Sequence, residues 1–246
     1  MDATIMPTRH IASLALRDEL SLATPCRRKE DGRRSFRLCR PELMTSDGIH
    51  WVAGDNFFEL GYWLVFAQGL EPVELLARLG CDLVSEEPLS WRDGGLIETE
   101  DEDVNAQAVR VGRVEEWAFA VAWYGSIIVD APTAVRAVSA GTVAVSLERN
   151  VNAASWWVVA MDSEVACEFT SPDFHVRSGQ VPDMLVDDMM SHGLLHVDGT
   201  APIQHGISLP DIDTRVLRMF EGRFGLALPR ELITRGELLT GLLIDD

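Results

Sequence analysis

The chain lacks a glycine-rich phosphate loop. Neither GxGxxG nor GxxxxGK followed by Ser or Thr occurs, and the single lysine, Lys29, has no such glycines before it, which excludes the common motifs for nucleotide binding. No GxSxG elbow surrounds Ser139, Ser146, Ser155 or Ser163, so the strained strand-to-helix turn that exposes a hydrolase nucleophile is missing. The four cysteines, Cys26, Cys39, Cys81 and Cys167, form no CxxC pair; they are too sparse for a disulfide scaffold and wrongly spaced for a zinc framework. No run approaches the roughly 20 apolar residues that span a bilayer. The weak apolar run Ile11–Leu22 is broken by Arg17, Asp18 and Glu19, which rules out a secretory core there. A reducing, cytoplasmic setting without a membrane is the expectation, and no cofactor is expected.

What is present is acid. The net charge is −18 over 246 residues. Such a body repels nucleic acid and anionic lipid and permits a basic protein partner. The charge is uneven: segment 27–40, RRKEDGRRSFRLCR, carries a net +5 and leaves −23 on the remainder. Nucleic-acid contact is therefore expected only through this 27–40 stretch. Apolar residues make up 47% of the chain, enough for a core that needs neither metal nor disulfide to fold.

The pattern divides the chain into a basic arm over 1–45, flexible or loosely docked, and a single domain over 46–246. Within the domain, Tyr62–Gln68 is a short apolar run rich in β-formers and reads as a buried strand. Pro72 opens a helix that Gly80 ends. Residues 85–107 are polar and acidic, a solvated loop without the spacing of a calcium site. Strands are predicted over 109–114 and 117–123 about a Glu115–Glu116 turn. In the second, Trp117, Phe119, Val121 and Trp123 alternate with Ala118, Ala120 and Ala122, so one face is bulky and the other fits beneath a helix. A helix over 132–140 and strands over 142–170 follow, with Asp162–Ser163 as a two-residue hairpin turn. Beyond residue 180 the spacing predicts helices over 182–192 and 213–224, and Pro229 opens a short helical turn. The expected fold class is α+β: a mostly antiparallel sheet covered by helices, a helical C-terminal third and a flexible basic N-terminal arm.

Chemistry-bearing residues are few. His192, His196 and His205 lie near Asp187, Asp188 and Asp198, and two histidines four apart on one helix would share a face, as zinc ligands do. Gly193 stands between His192 and His196, so the helix is expected to end before that face forms. There is no paired base, and no catalytic residue is assigned. Trp156 and Trp157 are adjacent on a predicted strand, so one points in and one points out. An outward tryptophan either marks a contact surface or lies beneath a helix of the same chain. Arg149, Asn150 and Asn152 at the neighbouring strand end join these two tryptophans as the candidate binding set, although turn stabilisation accounts equally well for the asparagines.

The segments GLEPVELLARLG (69–80), VGRVEEWAFAVAWYG (111–125), AVRAVSAGTVAVSLERNVNAASWWVVAM (134–161) and RMFEGRFGLALPRELI (218–233) resemble an uncharacterised actinobacterial domain family of unknown function, over about residues 51–235. The stretch 137–153 carries the resemblance most specifically. Ala122, Trp123 and Tyr124 depart from the family pattern, which has an acidic residue and an asparagine before the glycine. The resemblance implies no activity and no catalytic residues. The functional expectation is a non-enzymatic interaction protein, in one form immunity- or antitoxin-like, with an acidic surface for its partner. The alternative is a metal-assisted hydrolase using the His192, His196 and His205 region.

Overall fold

A computed structural model describes residues 47–94, 106–123, 131–196 and 206–244. Its frame is a ten-stranded sheet in which every pairing is antiparallel. Strand β1 (Tyr62–Gln68) lies at the centre, between β5 (Trp117–Trp123) and β6 (Val143–Arg149). Outward from β5 come β4 (Ala106–Val114) and then β10 (Glu237–Ile244). The outer edge of β10 carries two short strands, β2 (Asp82–Leu83) and β3 (Leu89–Ser90). Outward from β6 come β7 (Ser155–Met161), β8 (Glu164–Ser171) and the two-residue β9 (Arg177–Ser178). The β7–β8 connection is a tight turn with Asp162 and Ser163 both at positive φ, 49° and 68°. That is the geometry a two-residue hairpin requires, met here without glycine.

The faces of the sheet differ because side chains alternate along each strand. Trp117, Phe119 and Val121 of β5 join Tyr62, Leu64, Phe66, Val145, Leu147, Trp157 and Phe169 in one core cluster. Ala118, Ala120 and Ala122 join Trp63, Val65, Ala67, Ala144 and Val158 in the other. The bulky face lies under α5 (Leu209–Phe224), whose inner stripe is Ile212, Asp213, Val216, Leu217 and Phe220. Phe220 stacks on Phe169 at 6.3 Å and 6° and on Phe224 at 5.9 Å. Burying a side chain of this size stabilises the fold by about 2–3 kcal/mol. Ser208 caps α5, its hydroxyl accepting from the Asp211 N–H at 3.3 Å, and Gly225 ends it at φ 69°, a conformation that favours glycine. The small-residue face lies under α1 (Pro72–Arg78) and α3 (Ala131–Val138), which supply Leu75, Leu76, Val135 and Val138. Alanines let these short helices sit close to the strands.

The expected α+β fold with a helical C-terminal third is corrected. The structure is mostly a ten-stranded antiparallel sheet with few helices. The last third contributes β10, paired to β4 from Leu239↔Val111 to Ile244↔Ala106. Its sequence, ELLTGLLI, alternates: Leu238 packs on the bulky face, and Leu239 and Leu243 on the small face. The helix expected over 182–192 is only α4 (Val186–Ser191). The reason is upstream: the N–H groups of Gln180 and Val181 donate to the carbonyls of Val165 and Ala166 in β8, so this backbone extends the sheet edge instead of coiling. Helices α2 (Trp91–Gly94) and α6 (Arg230–Arg235) are a turn or so each. The expected arm over 1–45, the boundary at 46 and the core of the acidic loop lie outside the described residues.

Candidate functional site

At one end of the sheet, two rows of side chains run across the same four strands, one residue out of step. Tyr62 pairs with Arg149, Arg149 with Ser155, and Ser155 with Ser171. Trp63 pairs with Glu148, Glu148 with Trp156, and Trp156 with Thr170. Period two sends the first row to the bulky face and the second to the small face.

The first row is closed by α5. Asp213, 2% exposed, comes down from the helix. It accepts a hydrogen bond from the Ser155 hydroxyl at 3.2 Å, and Arg149 Nε lies 3.1 Å from its other oxygen, an ion pair set off the hydrogen-bonding direction. Burial pushes the Asp213 carboxyl up to about 6, against the pull of Arg149 and the Ser155 hydrogen bond. The Tyr62 hydroxyl is buried beside this pair, and its pKa is raised well above the ordinary phenol value by burial and then by Asp213, with Arg149 opposing. Gly61, at φ 119°, lets β1 begin against the Arg149 carbonyl, where a Cβ would collide. Trp157, fully buried on this side, donates from Nε1 to the Ser171 hydroxyl at 2.8 Å. Asn150 is committed to its turn: its side-chain oxygen accepts from the Asn152 and Ala154 N–H groups at 2.9 and 3.0 Å. The Asn152 side chain is exposed.

The second row is open only at its Trp156–Thr170 end; Trp63, at the other end, is 1% exposed. Trp156 is 39% exposed and Val176 71%. With Val158, Glu168, Thr170 and Ser178 they line a groove of about 270 Å³ beside the first turn of α3. The Ser178 hydroxyl donates to Glu168. Glu148 stands between Trp63 and Trp156, and directly opposed side chains on adjacent strands lie about 5 Å apart at Cβ. Burial pushes its carboxyl up to about 7. Trp63 itself is tied down, donating from Nε1 to the Ser146 hydroxyl at 2.9 Å.

The candidate binding set is thus divided rather than gathered. Trp156 lies on the open face, Trp157 and Arg149 belong to the closed one, and the asparagines to a turn. Sequence reasoning missed Glu148, Tyr62 and Asp213 as a set. The signals were present: Glu148 continues the Ala144, Ser146 alternation, and Asp213 falls four residues before Leu217 on the apolar stripe of α5.

The histidines do not gather either. His192 Nδ1 lies 2.9 Å from the Asp188 carbonyl at the end of α4, His196 follows in the next loop, and His205 lies outside the described residues. Among the described residues no group of three or more His, Cys, Asp or Glu side chains could hold a metal ion. A separate histidine–carboxylate contact joins His50 Nδ1 to Glu221 Oε1 at 2.9 Å. Glu221 also accepts from the backbone N–H groups of Ile49 and His50, which clamps the last turn of α5 to a 3-10 turn over His50–Gly54. The cleft beside it, about 490 Å³, has no serine, threonine or cysteine among its described lining residues. Cys81 and Cys167 are buried, their thiols pushed up to about 12 and 11, far from the thiolate a nucleophile requires.

Sheet and groove together define an antiparallel-sheet protein with a tryptophan-lined groove at one end. The chain belongs to a family of unknown function, DUF6461, whose model matches residues 43–243. No curated protein and no solved structure matches it. Among the described residues no helix is long and apolar enough to cross a membrane.

Proposed function

We propose that the protein is a non-enzymatic, cytoplasmic interaction protein that docks a basic protein partner on the Trp156 groove. The observation that carries this reading is the half-open Trp156 in a groove whose one charged side chain among the described lining residues is a carboxylate, Glu168. Tryptophan is enriched where binding energy concentrates, and a body of net charge −18 speeds encounter with a basic partner and sets partner choice. An immunity- or antitoxin-like role is the specific form of this proposal. Affinity purification from native lysate, with the wild-type chain and Trp156→Ala in parallel at low and high salt, tests it. A basic protein retained by the wild type and lost on substitution is the expected result. Recovery of only background at both salt concentrations would sink it.

A further inference from the structure

We infer that the Trp156 groove receives an arginine side chain of that basic partner, with Trp156 as the stacking surface and Glu148, its cross-strand neighbour at the groove's edge, as the counter-charge. The inference rests on the docking reading above and names the chemistry of the group that docks.

Three observations converge. First, strand register puts Glu148 next to Trp156 on the face that also presents Glu168. Second, Glu148 takes no hydrogen bond and no ion pair from the described residues, while Asp213, across the sheet, is met by Arg149 and Ser155. A partly buried carboxylate with no donor is costly, and the cost is recovered when a cation arrives. Third, no cation is among the described residues that line the groove; its carboxylate, Glu168, already accepts from Ser178, and Glu148 lies beside the lining, one strand over from Trp156. An indole beside a carboxylate suits a guanidinium better than an ammonium. The planar group stacks on the ring face while its forked N–H groups meet the two carboxylate oxygens.

The test uses two blocked peptides that differ at one atom type: an arginine tripeptide flanked by glycines, and the same peptide with citrulline, which keeps the planar shape and loses the charge. Calorimetric titration into the full chain compares wild type, Glu148→Gln, Trp156→Ala and, as a matched charge change elsewhere, Glu231→Gln on the exposed side of α6. The arginine peptide is expected to bind the wild type at least tenfold more tightly than the citrulline peptide. Glu148→Gln is expected to abolish that preference and Glu231→Gln to leave it intact, with circular dichroism confirming that each variant is folded. No binding of the arginine peptide, equal binding of both peptides, or equal effects of the two glutamine substitutions would overturn the inference. If Trp156→Ala releases the basic partner while Glu148→Gln leaves the preference intact, the docking reading stands and this inference falls. If Trp156→Ala changes neither partner capture nor peptide binding, both fall.

Discussion

Two rows of side chains, one residue apart in register and on opposite faces of the same strands, have opposite fates. Tyr62, Arg149, Ser155 and Ser171 are closed in by α5, and the charge among them is answered by Asp213. Trp63, Glu148, Trp156 and Thr170 face the side that α3 covers only in part: Trp63 is buried, and Trp156 is left half-open. Residue type alone does not separate the two: each row has an aromatic, a charge and a hydroxyl. What separates them is the element above. A polar group under a helix has to be satisfied from inside the fold, as Ser155 is by Asp213, although the buried Tyr62 hydroxyl finds no hydrogen-bond partner among the described residues; a polar group beside a groove can wait for a ligand.

The comparison can be broken at adjacent residues. Trp157→Ala is expected to cost about 3–5 kcal/mol, as truncation of a fully buried tryptophan does, read from denaturant unfolding. Asp213→Ala removes the counter-charge of Arg149 and is expected to cost about 3 kcal/mol, near the low end for a broken buried pair because Arg149 keeps a path to solvent. Ser155 would lose its acceptor at the same time. Glu148→Gln runs the other way. Folded, the Glu148 carboxyl holds its proton to about 7, against an ordinary value of 4.5. Between those values the folded chain binds more protons than the unfolded chain, so stability falls as pH rises through this window. Asp213, moved from 3.8 to about 6, adds a loss of the same sign. Removing Glu148 should therefore stabilise the protein by about 1–2 kcal/mol at pH 8 and leave it nearly unchanged at pH 4, about half of what the full shift represents because the group is only partly buried. Thermal melts of both proteins across this range check the sign. Trp156→Ala should cost less than about 1 kcal/mol, with its effect appearing in binding. An equal loss from Trp156→Ala and Trp157→Ala would erase the distinction between the rows.

Much of the central sheet was legible because its strands alternate strictly. Trp117 to Ala122 sorts onto two faces by size, and the structure fills those faces with different cores. Asp162–Ser163 was readable as a turn from its position between two strand patterns. The C-terminal strand was not read, because ELLTGLLI is a short leucine-rich run and periodicity alone does not separate a short strand from a helical segment. The segment 182–185, expected as the start of a helix, misled for a different reason. Its helix spacing is real, but Gln180 and Val181 find better partners in β8, a choice made by tertiary structure. The candidate site was half legible. The in-and-out placement of Trp156 and Trp157 follows from strand alternation. That Arg149 would turn to α5, and Glu148 toward Trp156, depended on pairing partners that no local window contains.

The margins of the sheet have a consequence for how the protein behaves in crowded solution. On one side β9 offers two residues, and on the other β2 and β3 offer two each along β10. Among the described residues, a second chain approaching edge-on meets no continuous ladder to copy, so strand-by-strand growth into fibres lacks a template there. A wide antiparallel sheet would ordinarily invite such polymerisation; here short stubs terminate it from both directions.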